Sequence, residues 1–340
     1  MREAMLYESL PEDRVRCQLC AHRCTISPDG RGICHVRENR DGKLVTLVYG
    51  ELIARHVDPI EKKPLFHYHP GSLSFSIATA GCNFRCDWCQ NADISQMPRD
   101  QHIILGDPIS ADDIVAAALA GHCRSIAYTY TEPTIFFEVT YDVAHRARDA
   151  GLGNVYVTNG YMTAEALQTL HPYLDAANVD LKAFRDATYR RYVGARLQPV
   201  LDSLKLMKQL GIWVEVTTLL IPGLNDDPAE LEEAANFIAD ELGPETPWHL
   251  SRFFPAYRMQ DVAPTPEATL TRAIEIARAA GLHYVYAGNS RQTIDTNCHA
   301  CGTPLIRRTG YRITTNHVTS QTTCPNCATP VAGIGMSAEA

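Results

Sequence analysis

A partial or full (β/α) barrel is the α/β fold class predicted for residues 51–290, flanked by small cysteine-bearing segments at 1–50 and 291–334. Three observations predict it. Apolar strand-like segments recur between residues 73 and 288, amphipathic stretches of helical period separate most of them, and the polar motifs fall at strand ends. Strands alternating with helices make βα units and a parallel sheet, and six or seven such units suit a barrel better than a small open sheet.

The strand candidates, in order, are LSFSIAT (73–79), SIAYTYT (125–131), NVYVTN (154–159), ANVDLKA (177–183), WVEVTTLL (213–220), WHLSRFF (248–254) and HYVYAG (283–288). The helix candidates are 111–120, 134–150, 202–210, 229–242 and 269–280, where apolar residues return every three or four positions. Residues 1–50 are polar and punctuated by glycine, as in SPDGRG and RDGK. Residues 291–334 hold two cysteine knuckles around LIRRTGYRITTNHV, an alternating segment that predicts a hairpin. Neither end has the apolar content for a core of its own, so each is expected to use a metal as a staple.

The 340 residues suffice for a barrel-sized core with small appendages. A formal charge of −8 argues against broad binding to nucleic acid or anionic lipid. No apolar run approaches the roughly 20 residues of a membrane span, and MREAMLYESLPEDR has no apolar core of a secretory signal. The expected compartment is the cytoplasm, where clustered cysteines read as metal or cluster ligands rather than disulfides.

Eleven of the 12 cysteines fall into three groups, and Cys123 alone reads as a buried structural thiol. Cys82, Cys86 and Cys89 form a C-x3-C-x2-C array directly after the first predicted barrel strand. Three thiolates so close together suit three corners of a [4Fe–4S] cube and leave one iron open to an outside ligand. Zinc is the alternative, but structural zinc takes four ligands. Trp88, beside the last cysteine, adds bulk that can shield the site. Cys298, Cys301, Cys324 and Cys327 form two knuckles with 22 residues between the pairs, a pattern for a four-thiolate site with zinc as the default. Mononuclear iron of rubredoxin type uses the same knuckles. Arg307, Arg308 and Arg312 lie between them and allow a nucleic-acid-binding ribbon, a reading that the net charge weakens. Cys17, Cys20, Cys24 and Cys34, with His22 and His35 in reach, predict a zinc site or a second iron–sulfur cluster, and the spacing leaves both open.

The array C-x3-C-x-(aromatic)-C after a first strand, followed by βα units, resembles the radical S-adenosylmethionine (SAM) superfamily, and in particular its activase-type members. HVDPIEKKPLFHYHPGS (56–72), YTYTEPTIFFE (128–138), WHLSRFFPAYRM (248–259) and the cysteine-bearing ends also resemble the radical SAM member of the AmmeMemoRadiSam system, over nearly the whole chain. The resemblance implies a radical-SAM-type barrel in which SAM chelates the open iron and is cleaved by one electron. The products would be methionine and a 5′-deoxyadenosyl radical that takes hydrogen from a substrate. It also implies an electron donor of flavodoxin or ferredoxin type.

Four strand-end motifs carry over singly. Glu132, in YTEP, stands where the superfamily contacts the methionyl ammonium, although Tyr130 and Thr131 replace its glycines; a surface turn is the other reading. Asn159, in TNG, offers a donor and an acceptor to ribose hydroxyls, or simply makes an Asn-Gly turn. Asp180 and Lys182 share one strand face and meet either a polar ligand, Lys182 pairing with the methionine carboxylate, or each other. Gly223, in IPGLND, matches the segment that packs on adenine, or makes an ordinary Pro-Gly turn. Trp248, His249 and Arg252 are expected toward the substrate mouth, with a hydrogen-bonded core histidine as the alternative for His249, His67 and His69.

The reaction class expected is therefore a radical SAM oxidoreductase or radical generator. Alternatives are an activase that installs a glycyl radical on a partner protein and a non-catalytic zinc protein that binds a partner or nucleic acid.

Overall fold

The computed structural model describes residues 2–290 and 294–338, so the predicted segment boundary at 291 lies outside the described residues. Eight strands form the central sheet: β1 (Ala54–Pro59), β2 (Leu73–Ala78), β3 (Ser125–Tyr128), β4 (Gly153–Thr158), β5 (Ala176–Asp180), β6 (Trp213–Leu220), β7 (Trp248–Arg252) and β8 (Val285–Gly288). Each pairs with its sequence neighbour, so the sheet order is the chain order. All pairs from β2 to β8 are parallel, and β1 alone runs antiparallel, against β2. Among the described residues β8 does not pair with β1, which makes this a partial barrel.

All seven predicted strands form, several of them shorter than expected. SIAYTYT stops at Tyr128 because Tyr130 takes a left-handed φ of 62° that ends the ladder. Six helices cover the sheet: α1 (Ala111–Ala120), α2 (Phe137–Asp149), α3 (Ala164–Leu170), α4 (Gln198–Gln209), α5 (Pro228–Phe237) and α6 (Glu267–Ala279). Side-chain caps start three of them. Ser110 accepts from Asp113 N–H, Thr163 from Ala166 N–H, and Asp227 from the N–H groups of Ala229 and Glu230. Helix α3 has no counterpart among the sequence-based expectations. It spans only seven residues, too few to show a period, and is held by the buried Ala166, Leu167 and Leu170. No helix among the described residues is long and apolar enough to cross a membrane.

The N-terminal segment folds as short antiparallel strands whose Val15, Leu19, Ile26, Val36 and Leu44 join the barrel's own core cluster. Buried Arg37 pairs with buried Glu138 on α2, tying the segment to the barrel. The C-terminal segment forms the three-stranded sheet β9 (Thr296–Asn297), β10 (Pro304–Thr309) and β11 (Arg312–Asn316), with the expected hairpin at β10–β11. Its small core contains Leu305, Ile306, Val318, Val331 and Met336 beside Cys298 and Cys324.

Residues 60–72 pack on β3–β6, where Ile60, Leu65 and Tyr68 cluster with Ala127, Val155, Ala176 and Trp213, and Ile334 of the C-terminal segment joins them. Phe66 packs on Tyr284 and Tyr286. Arg308 stacks 4.4 Å over Phe66 and donates to the Phe66 carbonyl at 3.0 Å. His67 reaches the Ala332 carbonyl through Nδ1 and the Tyr286 hydroxyl through Nε2, both at 2.6 Å. A carbonyl only accepts, so Nδ1 carries the proton and Nε2 accepts. Burial lowers the His67 pKa to about 4, which keeps this contact neutral. His67 is thus a core histidine. His69 lies beside it, its N–H donating to the Ile334 carbonyl at 2.7 Å.

The four C-terminal thiols lie within 4.8 Å of one another, with Sγ separations of 3.6 Å for Cys298–Cys327 and 3.7 Å for Cys301–Cys324. A Zn–S bond of about 2.3 Å gives a tetrahedral edge of about 3.8 Å, so the cage has the size of a single ion. In small thiolate domains a zinc ion supplies about 10–16 kcal/mol of folding free energy. Replacing Cys298 and Cys301 by Ser is therefore expected to remove one bound metal ion and open residues 294–338 to limited proteolysis, while residues 54–288 remain resistant. A metal-free variant that resists cleavage throughout would show that the ribbon's apolar core holds it without the ion.

Candidate active site

The parallel strands bring their carboxyl ends to one rim, where a cavity of about 680 Å³ opens. Its wall includes Cys82, Cys86 and Cys89 on one side, Asn159, Asp180 and Lys182 on another. Lys62, Lys63, Tyr130 and Tyr311 line it too. A cavity of about 740 Å³ around Tyr68, Arg124, Arg148 and Asp175 carries none of Cys82, Cys86 and Cys89, and its one cysteine is Cys123. It opens near the amino ends of the strands, away from the rim where barrels place their chemistry.

The cysteine loop leaves β2 through Gly81, whose φ of 108° and a prospective Cβ 2.8 Å from Val36 exclude a larger residue. Arg85 N–H donates to the Val193 carbonyl and Asp87 N–H to the Tyr192 carbonyl, at 3.0 and 3.1 Å, pinning the loop to the segment after β5. Donors already face the sulfurs. Phe84 N–H lies 3.3 Å from Cys82 Sγ, Asn159 Nδ2 3.9 Å from it, and the Ser95 hydroxyl 3.2 Å from Cys89 Sγ. Asn83 Nδ2 is buried without a partner in the same loop. Burial raises the Cys82 thiol well above its ordinary pKa and Cys86 to about 12. A cationic centre favours thiolate and would displace these protons. Trp88 is buried against the loop. These thiols, with N–H donors aimed at sulfur, fit a [4Fe–4S] cluster bound through three corners.

Glu132 is not a surface residue, and it lines the cavity wall. It is 2 % exposed, and both of its oxygens are engaged within the protein. Oε1 accepts from Thr134 N–H at 3.0 Å and from the Thr158 hydroxyl at 2.7 Å, and Oε2 accepts from Asn159 N–H at 2.8 Å. Burial raises its pKa, and these hydrogen bonds pull against that shift. Its carboxylate fixes the end of β4 and so aims Asn159, whose Nδ2 donates to Asn83 Oδ1 at 2.7 Å.

Asp180 and Lys182 pair with each other at 2.8 Å on the cavity wall. Burial lowers the Lys182 pKa, but Asp180 and the neighbouring Cys86 more than offset this and hold it above its ordinary value. Gly223 lies apart. It occupies an exposed turn with φ 72°, its N–H donating to Asp226 Oδ1 at 2.8 Å, and it does not line the cavity. Asn225 is the working residue of that turn, joining the carbonyls of Lys182 and Leu219 through Nδ2 at 2.8 and 2.9 Å.

Trp248, His249 and Arg252 do not reach the mouth. Trp248 is buried among Leu181, Phe184, Leu231 and Ala234, between sheet and helix, and donates to the Thr218 hydroxyl at 3.0 Å. His249 contacts Glu215 at 2.6 Å inside the barrel, and Arg252 binds Glu267 at 2.6 Å. Alternation along β7 sends Ser251 to the cavity instead.

Lys62, Lys63 and Tyr130 were not anticipated as site residues, although EKKPL and YTYTEP held them. All three converge on Asp58, with the lysines at 2.8 and 2.7 Å. Burial outweighs Asp58 and lowers the Lys63 pKa to about 8. Cys123 is buried at the end of α1, as a structural thiol would be. Cys17, Cys20, Cys24 and Cys34 gather beside the cysteine loop, where burial and then the neighbouring Cys17 and Cys34 raise the Cys20 pKa.

A loop with three cysteines at the carboxyl rim of a partial parallel barrel is the arrangement that defines the class of this protein. The sequence pattern of the Radical SAM superfamily matches residues 76–238. An uncharacterized protein of Methanocaldococcus jannaschii, MJ0808, is 46% identical over 91% of this chain and 92% of its own length. The pyruvate formate-lyase-activating enzyme of Clostridium pasteurianum is 22% identical over 46% of this chain and 66% of its own. A radical SAM methyltransferase from Sphaerobacter thermophilus shares the fold, with a TM-score of 0.52, 19% identity and coverage of 70% of this chain and 71% of that one. The chain belongs to the radical SAM superfamily.

Glu132→Ala orphans the buried N–H groups of Thr134 and Asn159, at a cost of about 1–3 kcal/mol for each group left unpaired. A clear drop in the urea midpoint at unchanged m-value is expected. An unaltered midpoint would mean that the carboxylate does not hold the rim together.

Proposed function

We propose that this chain is a cytoplasmic radical SAM enzyme that reductively cleaves SAM and abstracts hydrogen from a substrate whose identity is open. The observation that carries the reading is a rim cavity whose wall holds Cys82, Cys86 and Cys89 beside the Asp180–Lys182 pair. When bound, a [4Fe–4S] cluster with one open iron supplies the electron that splits the SAM sulfonium into methionine and a 5′-deoxyadenosyl radical.

The chain's own side chains bind, orient and exclude water. Cys82, Cys86 and Cys89 are the three thiolate ligands. Lys182 meets the methionine carboxylate, with Asp180 holding the ammonium charge in line. Asn159, held by Glu132, turns its amide toward the cluster side and the ribose. Glu132 is a positioning residue in this reading, and Gly223 has no part in it. Lys62, Lys63 and Tyr130 remain on the cavity wall for the substrate. The electron donor is a protein of flavodoxin or ferredoxin type, and the C-terminal four-thiol cage holds zinc, to whose tetrahedral edge its dimensions correspond.

A second reading is an activase that installs a glycyl radical on a partner protein, supported by the likeness to the Clostridium pasteurianum enzyme. The similarity of 56–72 and 248–259 to the AmmeMemoRadiSam member supports the broader reading, with another substrate.

Anaerobically reconstituted protein, given dithionite and SAM, is expected to release 5′-deoxyadenosine and methionine without substrate. Changing Cys82, Cys86 and Cys89 together to Ala is expected to abolish this and to remove about four iron and four sulfide per chain. Equal 5′-deoxyadenosine from the triple variant and the unaltered chain would contradict the reading.

A further inference from the structure

The four N-terminal cysteines differ in spacing from the four C-terminal ones. Among the described residues, the C-terminal thiols are the only group of three or more His, Cys, Asp or Glu whose ligand atoms all lie within 4.8 Å of one another. Cys82, Cys86 and Cys89, on the cluster loop, do not meet that limit. Neither do Cys17, Cys20, Cys24 and Cys34, although the Cys17 N–H donates to the Cys24 carbonyl at 2.9 Å and Arg37, three residues beyond Cys34, reaches Cys17 Sγ at 3.2 Å. A single ion draws its sulfurs to the edge of a small tetrahedron. A cube holds each thiolate on a separate iron and needs a wider cage.

The surroundings of the wider cage are those of a sulfur-rich anion. Arg37 is 1 % exposed, and its Nη1 donates to Cys17 Sγ at 3.2 Å. Its Nε is buried without a partner, while Glu138 balances the remaining charge. Ile33 N–H points at Cys24 Sγ from 3.5 Å. Hydrogen bonds to cluster sulfurs are what tune such a centre's reduction potential.

The group also lies against the catalytic loop. A Cβ on Gly81 would sit 3.5 Å from the Cys34 carbonyl. His22 Nε2 is 2.9 Å from the Asn83 carbonyl, and Cys20 forms a bridge to Met162 just beyond Asn159. Arg99 joins the two loops by donating to the Ile33 carbonyl at 2.9 Å and the Phe84 carbonyl at 3.3 Å. His35, Arg85 and Arg99 line a shallow basic hollow at this junction, on a chain of net charge −8.

We propose that Cys17, Cys20, Cys24 and Cys34 hold a second [4Fe–4S] cluster, closed by four thiolates, that takes one electron from a donor protein and passes it toward the Cys82–Cys86–Cys89 site. The donor, a low-potential flavin or iron–sulfur protein, is oxidised by one electron as the N-terminal cluster is reduced by one. Passing that electron on restores the oxidised cluster, and no proton moves. Four ligands leave no iron open, so the cluster binds no substrate. The basic hollow suits an anionic donor.

Labile sulfide separates this from zinc without any variant, because a mononuclear site carries none. The unaltered, reconstituted chain is expected to contain about eight sulfides, and the Cys82/Cys86/Cys89→Ala variant about four. Four sulfides in the unaltered chain that all vanish in the triple variant would overturn the second cluster and leave the catalytic reading intact. Four that persist in the triple variant would overturn the catalytic reading instead. For the relay, photoreduced flavodoxin mixed with the triple variant is expected to give the electron paramagnetic resonance signal of a reduced cluster. A Cys17→Ser, Cys34→Ser variant should then lose at least tenfold in flavodoxin-driven SAM cleavage while its dithionite-driven cleavage stays near that of the unaltered chain. A silent triple variant, or equal loss with both reductants, would overturn the relay.

Discussion

Parallel pairing from β2 to β8 sends every carboxyl end to the same rim, and one buried carboxylate keeps the rim in order. Glu132 ends its own strand-to-helix turn by capping Thr134, and it ends the next strand by accepting from Thr158 and Asn159. Two adjacent strand ends are thereby fixed to each other by hydrogen bonds that water does not reach. Asn159 then faces Asn83 and Cys82, so the β4 side of the cavity and the side that carries the three cysteines share one anchor. Without that tie, the loop after β4 would lose its register with the cysteine loop, and the Asp180–Lys182 pair one strand further on would face a wall of uncertain shape.

The barrel is incomplete, and appendages pack on it. The segment after β1 packs on β3–β6 and on β8, and the C-terminal ribbon packs on that segment. Arg308 inserts its guanidinium among Phe66, Thr296 and Ile294, and the β10–β11 hairpin brings Tyr311 to the cavity. A ribbon with a small core and four thiols that could hold a metal can therefore shape the mouth without supplying a ligand to the chemistry. The N-terminal segment differs, because its apolar side chains belong to the barrel core and its cysteines lie beside the catalytic loop.

Much of this was legible in the sequence. Strand order, the hairpin, the three cysteine groups and the rim motifs follow from periodicity and spacing. The face on which a residue falls was harder to read. Strands of a parallel sheet are buried on both sides, so polarity does not mark the inner face, and Trp248 went outward while His249 met Glu215 within. Gly223 shows the limit of a motif, since a Pro-Gly turn can follow a strand whose Thr217 and Leu219 line the wall and still lie beyond it. Glu132 was found by its position, but its partners come from residues up to 27 apart in sequence. Lys62 and Lys63 went unread because their shared partner, Asp58, sits on the antiparallel strand that the alternating pattern did not include.

The central claim is that three thiolates leave one iron open and that SAM fills it through its amino and carboxylate groups. Electron–nuclear double resonance on the reduced protein, with SAM isotopically labelled at the amino nitrogen, tests this directly. The account predicts a resolved nitrogen-15 coupling that gives way to a nitrogen-14 pattern when unlabelled SAM replaces the labelled form, and that is lost when Cys82, Cys86 and Cys89 are removed. SAM bound in stoichiometric amount with no coupling to the cluster would contradict it.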